Sequence, residues 1–260
     1  MIWTTSNGPI YYEYYTTQIK DAPTVVYLHG LGGDCRAWDF MKNPTLNTGY
    51  HFLTLDLPGH GISYRPDNNF NFTQFFTTIN TLLDEQKIKR YILVGHCLGG
   101  IVALHYTYNS RIKPESMILL NSSDSISSLV KILAKIKIVT NIIPDFRYKN
   151  HIKHSKYMNT GDINIKRLFS DVSHVGLRSY LRLMASLTYV FSTHDLSIIK
   201  IPTLVIGGKY DKIFPLNNQK YIYDKLSKAS LKIIDTNHVS VLNAQDKVCK
   251  IILNWLSKDL

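Results

Sequence analysis

The chain predicts an α/β fold, a mainly parallel eight-stranded sheet with helices on both faces. Three observations carry this. Short apolar runs of the kind a doubly covered strand gives recur along 260 residues. Segments with apolar residues at helical spacing separate them. No repeat, low-complexity linker or proline-rich hinge divides the chain, so the expectation is one domain over 1–260.

The elements follow in order. Ile2–Thr5 and Ile10–Thr16 flank Ser6-Asn7-Gly8-Pro9, a turn signal that predicts an N-terminal hairpin. Buried parallel strands are expected at Thr24–Leu28, Phe52–Leu55, Tyr91–Val94, Met117–Leu120, Thr203–Ile206 and Leu231–Ile234. Phe72, Phe75, Phe76, Ile79, Leu82 and Leu83 define one helix. Val102, Leu104 and Tyr108 mark a second, and Val248, Ile251, Ile252 and Leu256 a C-terminal one. From about Ser122 to Ile199 no strand is expected. Leu129, Ile132, Leu133, Ile136 and Val139 make one apolar face there, Pro144 ends it, and another helix is expected within Val175–Val190. A helical insertion this long between two strands predicts a lid over about 122–199.

Composition bounds the function. The net charge is +11, from 30 basic and 19 acidic residues. The lysines are scattered and no basic run interleaves with stacking aromatics, so a nucleic-acid partner is not expected. No apolar run approaches the roughly 20 residues a membrane span needs. Lys131, Lys135 and Lys137 make the 129–139 helix basic and amphipathic, which allows membrane-surface contact. An apolar face over an acyl pocket accounts for it better. Met1–Ile10 carries no basic n-region followed by an apolar h-region, and the expectation is a cytoplasmic protein. Three sparse cysteines, Cys35, Cys97 and Cys249, are no disulfide framework.

The chemistry concentrates at strand ends. Tyr91–Val94 runs into Gly95-His96-Cys97-Leu98-Gly99-Gly100 and then a helix. Such a G-x-C-x-G turn needs small flanking residues and pushes the central side chain out at the sheet's end. The helix N-terminus beneath it favours a thiolate. His29-Gly30-Leu31-Gly32-Gly33 follows another strand, and the Leu31 and Leu98 N–H groups are the expected oxyanion hole. His29 itself is expected to hold that loop. Asp211 follows Thr203–Ile206, with Pro215 opening the next helix, and His238 follows Leu231–Ile234. The order is nucleophile, acid, histidine. Asp211 would hold the ring, and His238 would take the Cys97 proton and later protonate the leaving group.

With these motifs the chain resembles the α/β-hydrolase superfamily over nearly its whole length. The carrying features are Gly30 in its turn, Asp56-Leu57-Pro58-Gly59-His60-Gly61, the Cys97 elbow, the Gly208–Pro215 acid turn and the His238 loop. Most relatives have serine at the elbow. Dienelactone hydrolases and polyhydroxyalkanoate synthases have cysteine and are similar in triad. The former lack such a lid, and the latter are usually longer.

Several weaker candidates compete. Asp124 follows Met117–Leu120 and is the alternative acid. His60 and His96 read as packing or hydrogen-bonding groups. His151 and His154 lack a third ligand, so no metal is expected. Cys35 and Cys249 read as buried small side chains, although Cys35 lies near the oxyanion turn. Phe146, Tyr148, Phe169, Tyr180 and Met184 are expected pocket walls. No motif calls for a cofactor. The resulting expectation is an ester or thioester hydrolase acting through an acyl-cysteine on a small acyl substrate. The alternatives are an acyltransferase and a single-turnover sensor. A third reading has Cys97 replacing a serine to trap substrate, and it leaves the fold unchanged.

Overall fold

The structure, a computed structural model, describes residues 1–124, 140, 142–143, 154–187 and 195–257. Eight strands form one sheet: β1 (Ile2–Thr5), β2 (Gly8–Tyr15), β3 (Thr24–Leu28), β4 (His51–Leu55), β5 (Tyr91–His96), β6 (Ser116–Leu120), β7 (Thr203–Gly208) and β8 (Ala229–Ile234). Their spatial order is β1-β2-β4-β3-β5-β6-β7-β8. The first two pairings, β1 with β2 and β2 with β4, are antiparallel, and all others are parallel. The eight-stranded, mainly parallel sheet expected from the sequence is present. Boundaries moved by up to two residues. Gly8 and Pro9, expected in the hairpin turn, already pair with Thr5 and Thr4, so the turn is Ser6–Asn7.

The helices are α1 (Asp39–Asn47), α2 (Thr73–Glu85), α3 (Leu98–Asn109), α4 (Ile165–Val175), α5 (Leu177–Ser186), α6 (Leu216–Lys225), the short α7 (Ser240–Asn243) and α8 (Gln245–Leu256). Alternation along the strands divides the core in two. Val26, Leu28 and Leu93 face a cluster with Phe75, Ile79 and Leu104 of α2 and α3. Val25, Tyr27, Ile92 and Val94 face the other, with Met41 of α1 and Val248, Ile252 and Leu256 of α8. Ten of the twelve α3 residues are buried, so the elbow helix is apolar all round and fixed in the interior.

Between β6 and β7 no strand occurs among the described residues. Only one described helix was expected there; two α-helices and two short 3-10 turns, His154–Tyr157 and Leu196–Ile198, are present. Gly176, at φ 84°, separates α4 from α5. Asn164 caps α4: its side chain accepts from the Arg167 N–H at 2.9 Å. The 129–139 helix with its three lysines, Pro144, Phe146, Tyr148 and His151 lie outside the described residues, as does the His154 side chain. No helix among the described residues is long and apolar enough to cross a membrane.

Candidate active site

Parallel β3, β5, β7 and β8 end on the same edge of the sheet, and the loops that follow them meet there. At the end of β5 Cys97 has φ 52° and ψ −115°. A non-glycine residue held there costs about 1–3 kcal/mol and persists only when its surroundings fix it. They do. A Cβ on Gly95 would collide with Gly99, and one on Gly99 with the Leu28 carbonyl. The turn is pressed between its own helix and β3, and Cys97 is left half-buried, facing the cavities.

His238 is the hub. Its Nδ1 lies 2.9 and 3.0 Å from the two Asp211 carboxylate oxygens. Cys97 lines the same two cavities as this ring, and with Nδ1 engaged, Nε2 is the nitrogen left for the sulfur. Burial alone would lower the imidazole. The Cys97 charge and the Asp211 bond outweigh it and push His238 up to about 10. Asp211 is buried, which would raise it. Hydrogen bonding and charge from His238, with further donors, hold it below the ordinary carboxylate range. Those donors are the Ile213 and Phe214 N–H groups at 2.9 and 2.8 Å and the Asn121 amide at 2.8 Å. Asn121 in turn accepts from Ser240.

The structure therefore brings Cys97, His238 and Asp211 together. The alternative acid, Asp124, is not His238's carboxylate; its carbonyl meets His105 Nε2 at 2.9 Å. Leu31 and Leu98 border the cavity with Cys97, and among the described residues neither backbone N–H has an acceptor. The oxyanion turn approaches the elbow closely: a Cβ on Gly30 would lie 3.1 Å from the Cys97 Cβ.

Three buried histidines brace this side. His29 Nε2 accepts from the Leu57 N–H at 3.0 Å, which leaves Nδ1 to donate to the Gly30 carbonyl. His60 Nε2 accepts from the Gly32 N–H at 3.2 Å, and its Nδ1 faces the Pro58 carbonyl. His96 Nε2 donates to the His238 carbonyl at 2.8 Å. Burial and the neighbouring His238 lower His96 to about 3. His60 is likewise lowered, by burial and by His29. Asp56, fully buried, ties the 56–62 loop to the Cys35 N–H at 2.8 Å and the Ile62 N–H at 3.0 Å. Gly61 is required there, because a Cβ would overlap the Asp56 carboxylate. Cys35 is fully buried, and burial beside Asp56 pushes its thiol up; it does not line the cavities with Cys97.

A cavity of about 480 Å³ opens from Cys97 and His238. Tyr180, Met184, Ile101, Leu187 and Phe214 line it. Of the expected walls, Tyr180 and Met184 are there. Phe169 is not: it is 74% exposed, on the side of α4 turned away from the cavity. Sequence reasoning missed Asn121, Ser240 and Asp162. Asp162 accepts from the His238 and Lys212 N–H groups, each at 2.8 Å. No cluster of three His, Cys, Asp or Glu side chains that could hold a metal occurs among the described residues.

The general pattern of the alpha/beta hydrolase fold matches residues 23–245. The chain belongs to the α/β-hydrolase fold family. A putative carbamate hydrolase, RutD, of Pseudomonas syringae pv. syringae is 28% identical over 87% of this chain and 90% of its own length. A 3-oxoadipate enol-lactonase of Acinetobacter baylyi is 22% identical over 91% of this chain and 90% of its own. The crystal structure of the enol-lactonase from Burkholderia xenovorans LB400 superposes with a TM-score of 0.79. It is 18% identical and covers 99% of this chain and 100% of that one.

Proposed function

We propose that this α/β-hydrolase cleaves carboxylic ester bonds, lactones and thioesters among them, through a covalent acyl-cysteine on Cys97. The observation that carries the reading is His238, bonded to Asp211 and lining the same cavity as Cys97, beside two backbone N–H groups without acceptors among the described residues. The similarity to proteins named as a carbamate hydrolase and an enol-lactonase supports acyl-group cleavage.

The steps follow from the geometry. The Cys97 thiolate attacks the substrate carbonyl carbon, and the oxyanion takes the Leu31 and Leu98 N–H groups. The carbon–oxygen or carbon–sulfur bond to the leaving group breaks as protonated His238 donates its proton to that group. A water then attacks the thioester. Neutral His238 takes the water's proton, and the Cys97–acyl bond breaks to return the thiolate. Asp211 holds the ring and balances its charge throughout. The apolar cavity takes the acyl group, and the segment between β6 and β7 acts as its lid.

The test is turnover of a panel of p-nitrophenyl esters, a lactone and acyl thioesters by the natural sequence, Cys97→Ala and Cys97→Ser, with intact-mass detection of adducts. Sustained turnover, lost in Cys97→Ala, with an acyl adduct on Cys97 is the expected result. An adduct without turnover would instead favour acyl transfer or a single-use sensor. Neither adduct nor turnover would refute the reading.

A further inference from the structure

Asp162 lies outside the three residues of the proposed triad, yet its carboxylate bridges the loops that carry two of them. One oxygen accepts from the N–H of His238 and the other from the N–H of Lys212, next to Asp211, each at 2.8 Å. Asp162 is buried and borders the same cavity as Cys97. Among the described residues it has no ion-pair partner. Both oxygens are spent on backbone donors of two separate loops, so its work there is to fix the distance between them.

The stretch around Asp162 is fastened to the same place. Asn237 and Asn243 side chains both donate to the Thr160 carbonyl, at 2.7 and 2.8 Å. The Asn159 N–H donates to the Asn243 side chain at 2.6 Å. Arg167, in the first turn of α4, donates to the carbonyls of Gly161 and Asp162 at 3.0 and 2.6 Å. The segment between β6 and β7 is thereby locked to the histidine loop just before α4 begins.

We propose that Asp162 is a positioning residue for His238: it sets the histidine loop against the acid loop, and it makes the alignment of His238 depend on the seating of residues 159–164. The inference rests on the reading of Cys97, His238 and Asp211 as the reacting set. Small misplacement of a proton-transfer group costs rate out of proportion to stability, up to about 100-fold for about 1 Å.

The experiment uses the full chain with Asp162→Ala and Asp162→Asn. Three quantities are read: kcat and KM on the best p-nitrophenyl ester, the rate of Cys97 alkylation by iodoacetamide at pH 7, and the NMR titration midpoint of the His238 ring. In Asp162→Ala, kcat is expected to fall about 10- to 100-fold with KM within about twofold. Cys97 alkylation slows and the His238 midpoint falls in parallel. Asp162→Asn keeps one acceptor oxygen and the side-chain volume, and is expected to retain more of all three. It is the variant to judge by if Asp162→Ala does not fold. A loss of melting temperature with kcat, alkylation and midpoint all unchanged overturns the inference and leaves the proposed function standing. If the natural sequence hydrolyses nothing, alkylation and the His238 midpoint still decide the role of Asp162.

Discussion

Two sides of the site are built from buried histidines whose basicity is pushed in opposite directions. On the acid side His238 bonds the Asp211 carboxylate and shares the cavity with Cys97, and it is pushed up. On the oxyanion side His60 meets a backbone N–H at one ring nitrogen and a carbonyl at the other, an arrangement that needs one ring proton and no more. His29 repeats it between Leu57 and Gly30. All three are buried. Burial therefore does not decide the charge; the direction of the neighbouring dipoles and charges does. In the proposed mechanism the acid side moves protons. The neutral side holds two loops still, so that the Leu31 N–H stays aimed at one point.

The largest expected break in this contrast is Cys97→Ala. It removes the proposed nucleophile, and turnover is expected to fall by about four orders of magnitude or more. It also removes the neighbour whose interaction raises His238, so the ring's NMR titration midpoint is expected to drop towards the range of an ordinary histidine. A midpoint unchanged by the substitution would mean that Asp211 alone holds the imidazole charged. Asp211→Asn is the next largest. The amide cannot accept from His238 at both oxygens and favours the wrong tautomer, and kcat is expected to fall about 10³- to 10⁴-fold with the fold retained by circular dichroism.

What could be read from the chain follows the range of the contacts involved. The elbow, the oxyanion turn, the acid turn and the histidine loop are strings of adjacent residues at strand ends, so the sequence displays each whole. Asn121 is tied to Asp211 across 90 residues and to Ser240 across 119, and Asp162 to His238 across 76. No local pattern encodes such pairings. Asp162 sits between Gly161 and Ile163, a stretch with neither helical nor strand periodicity. Phe169 failed as a pocket wall for a related reason. Aromaticity predicts a lining residue only when the helix phase is known, and α4 turns Phe169 outward while Leu168 borders the cavity.

A substitution on the neutral side should sharpen the contrast with a smaller effect. His60→Ala deletes the acceptor of the Gly32 N–H and leaves a buried donor unpaired, at a cost of about 1–3 kcal/mol in unfolding free energy. The oxyanion turn loses a brace and no reacting atom. Urea unfolding should show the loss of stability, and kcat should fall far less than in Asp211→Asn. An equal fall in kcat would mean that His60 does more than hold the loop.

The smallest effect expected is the pH dependence of stability, and it takes opposite signs on the two sides. His60 and His96 are lowered in the folded chain, His96 to about 3. On unfolding they return to about 6.5. Between those values the unfolded chain binds more protons, so their contribution is whole above about pH 6.5 and is lost as pH falls towards 3. His238 is raised to about 10. Its contribution is whole below about pH 6.5 and is lost as pH rises through 10. The melting temperature should therefore decline on both flanks. Cys97→Ala, which takes away the charge that raises His238, should flatten the alkaline flank and leave the acid flank as it was. Calorimetry of both proteins from pH 4 to 10 checks this, because an acid flank that also flattened would mean that the two sides titrate as one unit.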